Sequence, residues 1–241
     1  MNADGIRLEE LEVGGRLKGG SMSGNTQQIT QDQLVEQLAA YPPGQRRLVA
    51  VAGPPGCGKS TLAAALAAAI NETSPGRAAV FPMDGMHFDD AILEGRGLRP
   101  RKGAPETFDV GGFYHLLDRL RRNQESEIAV PVFDRELEIS RNAARIIPQS
   151  VEVLIVEGNY LLLDRPLWCD LAALFDLTVA LDVSAAELRR RLYARWYSYG
   201  VEDAEASRRV EENDLPNGLT VLNQSRSADL TISQNERAAT T

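Results

Sequence analysis

Hydrophobic positions between residues 26 and 235 fall into two alternating patterns. Short, nearly continuous apolar runs at residues 47–52, 78–81, 151–158, 177–181 and 228–232 read as buried strands. The run at 151–158 carries Val151, Val153, Leu154, Ile155 and Val156, the branched apolar character of a central parallel strand. Between the runs, apolar residues recur three and four apart, as on one face of a helix. Leu34, Val35, Leu38 and Ala39 form one such face before Pro42-Pro43-Gly44. The Ala- and Leu-rich stretch 62–70, the set Phe113, Leu116, Leu117 and Leu120, and the pair Leu188 and Leu192 form others. Ser184 with Glu187 fits a capping box, and Gly200 fits the stop of that helix. A further helix is expected from about Asp203 to Glu212, ended by residues 213–218. Strands alternating with helices predict an α/β fold: a parallel sheet joined by right-handed crossovers, with helices on both faces.

Two stretches depart from this rhythm. Residues 91–110 hold Gly95, Gly97, Pro100, Gly103 and Pro105 and a basic cluster, Arg96, Arg99, Arg101 and Lys102. They read as a long loop, the kind that carries function, closed by Asp109 as the cap of the next helix. Residues 128–134 form a β-type run interrupted by Pro131, hence an edge ribbon, which returns through Arg141 to residues 146–148. Such a ribbon can wall a pocket, and Asp134 and Arg141 read equally well as pocket groups or as a structural ion pair. The domain is expected to span 26–235, after a Gly- and Ser-rich leader at 1–25 and before a polar tail at 236–241.

The strongest chemical signal lies directly after the first strand. Gly53, Pro54, Pro55, Gly56, Cys57, Gly58, Lys59 and Ser60, with Thr61 following, match G-x-x-x-x-G-K-[ST] without departure. Strand, glycine loop and helix is the context this phosphate-binding loop requires. Its glycines allow successive N–H groups to turn inward beside a helix N-terminus, forming a nest for phosphate oxygens. Lys59 is expected on the β- and γ-phosphates, and the Ser60 hydroxyl on Mg2+. Nucleotide phosphates with Mg2+ therefore set the cofactor expectation.

That signal gives the other strand ends a meaning. Residues just past the carboxyl ends of parallel strands face the ligand crevice. Asp84 follows the second strand and is expected to face the γ-phosphate, as proton acceptor or Mg2+ group. Glu157 ends the central strand, where an acid orients Mg2+ or its waters. Asn159 and Tyr160 follow at the crevice. The arginine-rich helix after Ser184 reads as a lid, with Arg191 and Arg195 one turn apart on one face, suited to charge on a transferring phosphoryl group.

Composition narrows the class. Of 241 residues, 43% are hydrophobic and 25% charged, and the net charge is −8. A sequence pI near 5.0 argues against a general nucleic-acid binder. The two cysteines, Cys57 and Cys169, offer neither metal spacing nor a disulfide framework. No apolar run reaches the length of a membrane span, and the first residues lack a signal-peptide pattern. A cytoplasmic protein without membrane insertion is the expectation.

These motifs, in order, resemble one family. Residues 53–61, Met83-Asp84-Gly85-Met86-His87, residues 104–109, Pro131-Val132-Phe133-Asp134 with Arg141, and Val156-Glu157-Gly158 are similar to the signposts of the phosphoribulokinase, uridine kinase and bacterial pantothenate kinase group. The resemblance covers about residues 30–235. It is greatest to the nucleoside/nucleotide kinase-like proteins, some labelled fructose transport system kinases, whose Asn213-Asp214-Leu215-Pro216-Asn217 signature also matches. The resemblance implies a P-loop three-layer sandwich with a five-stranded core in order 2-3-1-4-5, a helical lid, ATP with Mg2+, and phosphoryl transfer to a hydroxyl of a small metabolite. Asp84 matches the family's catalytic base, Lys59 and Ser60 its phosphate and Mg2+ contacts, and Arg191 and Arg195 its lid arginines. Substrate-side groups are then expected among His87, Arg101, Asp134, Arg141 and Tyr160. A homodimer and a link to a sugar transport system belong to the same implication. Sugar, sugar phosphate, pantothenate-like acid and nucleoside stay open as acceptors. The alternative is an ATP-binding regulatory module of a transporter, which would need neither Asp84 nor Glu157.

Overall fold

The computed structural model describes residues 26–234, so the expected leader and tail lie outside the described residues. The strand carrying the phosphate loop, β2 (Arg47–Ala52), lies inside a parallel six-stranded sheet. On one side it pairs with β6 (Val153–Gly158), which pairs with β3 (Ala78–Pro82). On the other it pairs with β7 (Leu177–Asp182), which pairs with β8 (Leu230–Ser233). Counted from the phosphate-loop strand, these five run 2-3-1-4-5, the expected order. The sixth strand, β1 (Gln27–Gln28), extends the β8 edge and was not predicted. It is two polar, exposed residues, tied by Gln27 N–H to the Asp229 carbonyl (3.3 Å), so no apolar pattern announces it.

Side chains alternate across the sheet and divide the core into two layers. Leu48 and Ala50 of β2 with Leu154 and Val156 of β6 face Phe113, Leu117 and Leu120 of α4 (Val110–Arg122). Val49 and Val51 with Val153 and Ile155 face Leu62, Leu66 and Ile70 of α2 (Lys59–Thr73) and Leu34 and Leu38 of α1 (Gln31–Ala39). Caps fix the helix starts. Thr30 and Gln33 form a capping box on α1, and Asp109 accepts from Gly112 N–H on α4. Ser184 accepts from Glu187 N–H on α5 (Ala185–Ser198). Beneath the sheet, Arg46 is 2% exposed and donates to the carbonyls of Val151, Leu120 and Pro148, which burial tolerates although it pulls the guanidinium down to about 10.

Two local expectations are corrected, and the expected two-strand ribbon is met. Residues 91–110 are not one loop: Asp89 caps a short helix, α3 (Asp90–Gly95), and 3-10 turns follow at Arg99–Arg101 and Pro105–Thr107. Six residues cannot display a helical period among so many glycines. The ribbon, β4 (Glu127–Asp134) and β5 (Ile139–Pro148), is a separate antiparallel sheet whose register shifts around Pro131. Residues 213–218 do not end a helix either. The segment α6 (Asp203–Arg209) runs through a π turn, Val210–Asp214, directly into α7 (Leu215–Gln224). Pro216 sits at the start of α7, and the wide turn before it relieves the missing N–H and the ring's clash with the preceding turn.

Candidate active site

The phosphate loop turns from β2 into α2 with Gly56 at φ +79° and Gly58 at φ +101°, left-handed conformations that glycine adopts freely. Gly58 caps α2 without any side chain, so the first N–H groups of that helix point at the cleft with no internal partner from a capping group. Lys59 is 7% exposed, and its Nζ donates to the Pro54 carbonyl at 2.9 Å. The loop is therefore a cradle of donors ending in a cation, suited to an anion.

Two carboxylates face it. The hydroxyl of Ser60 donates to Glu157 Oε1 at 3.1 Å, joining the loop to the end of β6. Burial pushes the Glu157 carboxyl above its ordinary value; Lys59 pulls it back and Asp84 adds to the rise. Asp84 sits one strand over, in a 3-10 turn (Met83–Met86) that follows β3, because Pro82 and Glu157 are in register across the sheet. That turn is tightly held. A Cβ on Gly85 would lie 2.5 Å from the Pro131 carbonyl, and Ser140 Oγ donates to the Gly85 carbonyl. The ribbon thus lies on the turn and brings Arg135 Nη2 to Asp84 Oδ2 at 2.7 Å.

Between these groups and the lid helices lies one cleft of about 720 Å3. Of the expected site residues, Pro55, Gly56, Lys59, Ser60, Asp84, His87, Arg101, Glu157 and Arg195 line it. Its other walls come from Arg99–Gly103, from Phe108, Phe133 and Arg135, and from the lid groups Trp196, Arg208, Arg209, Asn213 and Asn217. His87 stacks on Phe108 (4.0 Å) and Phe133 (4.8 Å), and burial holds its pKa below the ordinary value, so it is neutral near pH 7.

Other expected residues lie elsewhere. Arg191 does not line the cleft. Its guanidinium is engaged by Glu187 (2.6 Å), the Cys57 carbonyl (3.2 Å) and the Gln234 carbonyl, bracing the back of the phosphate loop. Asp134 and Arg141 form an ion pair at 3.2 Å on the ribbon, away from the cleft wall. Tyr160 is fully buried, and its hydroxyl donates to the Gly103 carbonyl at 2.7 Å, so it holds a cleft wall from behind. Gly53, Pro54, Cys57, Gly58 and Thr61 shape the loop without lining the cleft.

Arg135, Arg208 and Arg209 were not anticipated, and Asn213 and Asn217 were marked only as part of a family signature, not as cleft groups. Arg135 meets Asp84 across 51 residues, and no spacing reveals that. Asn213 and Asn217 are four apart, and that one-turn spacing next to a proline was a usable signal. Asn213 Nδ2 donates to the Lys102 carbonyl (3.0 Å) and Asn217 Nδ2 to Asn213 Oδ1 (3.2 Å), which ties the lid to the Arg99–Gly103 wall. Arg209 stacks over Trp196 at 4.5 Å, and Trp196 donates to Asp214 at 2.7 Å.

A phosphate cradle at the carboxyl edge of a parallel sheet, opposed by two carboxylates and roofed by basic helices, defines a P-loop phosphotransferase. Among the described residues no helix is long and apolar enough to cross a membrane. The chain belongs to the phosphoribulokinase/uridine kinase family, whose model matches residues 48–196. It is 36% identical over 208 residues to YggC of Escherichia coli (strain K12), covering 84% of this chain and 85% of that one. It is 34% identical over 197 residues to a "putative uridine kinase" of Schizosaccharomyces pombe, covering 79% and 84%. Among solved structures it is similar to a "putative fructose transport system kinase" from Silicibacter sp. TM1040, with TM-score 0.78, 42% identity and 84% and 98% coverage. The chain is accordingly a kinase of this family that phosphorylates small metabolites.

Proposed function

We propose that this kinase transfers the γ-phosphoryl group of ATP to a hydroxyl of a sugar or sugar-like metabolite. The observation that carries the proposal is the meeting of Lys59, the Ser60–Glu157 pair and Asp84 around one cleft. A likeness to a structure described as a putative fructose transport system kinase favours the sugar-like acceptor over a nucleoside or pantothenate-like acid.

The donor set fits Mg2+. Ser60, Glu157 and Asp84 offer hard oxygen ligands on one side of an open cleft. Mg2+ favours such an open arrangement, keeping waters and phosphate oxygens in its shell. When bound it neutralises charge on the β- and γ-phosphates.

The chain's own groups then divide the work. The loop amides and Lys59 bind and orient the phosphates. Arg195, with Arg208 and Arg209 beside it, offsets charge developing on the γ-phosphoryl oxygens. Asp84 accepts the proton of the attacking hydroxyl as its oxygen bonds to the γ-phosphorus and the bond to the β–γ bridging oxygen breaks, leaving ADP. Arg191 acts one layer back, by holding the loop. Single-turnover assays with ATP, Mg2+ and a panel of sugars test the reading. Asp84→Asn should lower kcat by about 10²- to 10⁴-fold. Full transfer by that variant would show that Asp84 is not the base.

A further inference from the structure

The acceptor half of the cleft is charged in a way the nucleotide does not use. Arg99, Arg101, Lys102 and Arg135 line it, against two carboxylates on the same wall, Asp84 and Glu138. The partner acid of Arg99 and Lys102 is Asp90, at 2.8 and 2.6 Å, and it stands behind the wall rather than in it. The acid nearest Arg101 is Glu106 at 3.4 Å, an exposed pair of the kind that contributes little and yields readily to another anion. In a protein of net charge −8, this concentration of cations at one wall marks an anion seat.

The wall is held in place before any ligand arrives. Tyr160 fixes the Gly103 carbonyl from beneath, and Asn213 fixes the Lys102 carbonyl from the lid. Phe133 lies under the cations, with Lys102 Nζ 5.4 Å and Arg135 5.9 Å from its ring centre. The floor is therefore aromatic and the rim cationic.

His87 supplies the third element. Its Nδ1 lies 2.8 Å from the Asp84 carbonyl oxygen, and a carbonyl can only accept. The proton therefore sits on Nδ1, leaving Nε2 as an acceptor for a hydroxyl donor. Asp84 and His87, three residues apart on the same turn, offer two hydroxyl-accepting groups beside the anion seat.

Resting on the kinase reading above, we propose that the acceptor is a small polyhydroxy compound bearing one anionic group, a sugar acid or a sugar phosphate. Its anion sits between Arg101 and Arg135, one hydroxyl donates to His87, and the reacting hydroxyl meets Asp84. Arg135 has a second consequence: an anion that engages its guanidinium competes with Asp84 for it and releases that carboxylate for the proton. Neutral sugars and nucleosides leave the clamp in place.

Matched acceptors test this with the full chain, ATP and Mg2+: glycerol, D-glycerate and glycerol 3-phosphate, then ribose, ribonate and ribose 5-phosphate. The anionic members should exceed their neutral counterpart in kcat/KM by about 100-fold, as expected for a charge-assisted contact. Preference within each trio decides between carboxylate and phosphate. Arg101→Gln and Arg135→Gln should each reduce kcat/KM for the anionic acceptor by about 10- to 100-fold and shrink the anionic-over-neutral ratio by the same order, and Arg135→Gln, which frees Asp84, should not lower the rate with the neutral acceptor. A neutral member used as well as its anionic partner would overturn the proposal, as would variants that depress both alike. Calorimetry of glycerate and ribose 5-phosphate into the protein loaded with a non-hydrolysable ATP analogue separates the two readings. Saturable, Arg135-dependent binding without transfer supports the anion seat and removes the transferase. No saturable binding up to about 10 mM, which is negligible affinity on this scale, removes the anion seat.

Discussion

Gly158 follows Glu157 at the end of β6, and a Cβ there would lie 2.5 Å from Met83 Cβ, 2.8 Å from its Sδ and 3.1 Å from its Cγ. Met83 is fully buried and immediately precedes Asp84. The Gly158 backbone is not in the left-handed region, so Gly158→Ala tests close packing rather than backbone strain. Ordinary contact begins at 3.4 Å, so the two segments must part by about 3.4 − 2.5 = 0.9 Å. Overpacking of this kind costs about 1–3 kcal/mol. For a chain of this length that is a fall in Tm of roughly 3–10 °C. The separation opens between the segments carrying Glu157 and Asp84, and misplacement on the order of 1 Å costs about 10²-fold in rate. Thermal unfolding and kcat should be measured on the same preparations. Gly95→Ala is the control: nothing lies within 4 Å of its added Cβ, so it should keep activity and gain slightly in stability. A Gly158→Ala protein with unchanged Tm and kcat would refute the claim that this contact sets the spacing of the two carboxylates.

Other outcomes follow from the same structure. Glu157 has its folded-state pKa raised by burial, so its ionised form counts against the native state as pH rises through the ordinary carboxylate range to the higher folded value, and stays unfavourable above it. Glu157→Gln should therefore gain Tm relative to the wild type at pH 8 compared with pH 4, while losing Mg2+-dependent activity; an equal Tm gap at both pH values would contradict this. Arg46→Met leaves three carbonyls without their buried donor and should cost about 3–5 kcal/mol in urea unfolding. Tyr160→Phe removes the hydroxyl from the Gly103 carbonyl and should cost about 0.5–1.5 kcal/mol, with a raised acceptor KM and an unchanged ATP KM.

Much of the architecture was legible because its signals are local. Branched apolar runs mark strands, the glycine–lysine motif marks the turn between β2 and α2, and acids at strand ends fall at the crevice of a parallel sheet wherever such a sheet forms. Those features determine the donor: a strand, its loop and its helix are contiguous, and their chemistry does not depend on distant residues. The rest depended on contacts between segments far apart in the chain. The Arg135–Asp84 pair exists because a close glycine contact seats the ribbon on the turn after β3. Arg191 and Arg195 share a helix face by spacing, yet Arg191 is held at the back of the loop by Glu187 and the Cys57 carbonyl while Arg195 lines the cleft. Tyr160, next to the crevice in sequence, turns into the core because its ring packs on Phe108 and Trp168. The residues at 213–217 look like a helix stop, and only the folded lid shows a π turn whose Asn213 bonds the Lys102 carbonyl of the facing wall. The sequence by itself determined that a glycine-rich P-loop follows the first core strand and that acids stand at the ends of its neighbours. The tertiary structure decided which cations line the cleft opposite the phosphate loop, because that wall is assembled from a loop, a ribbon and a lid with no fixed spacing between them.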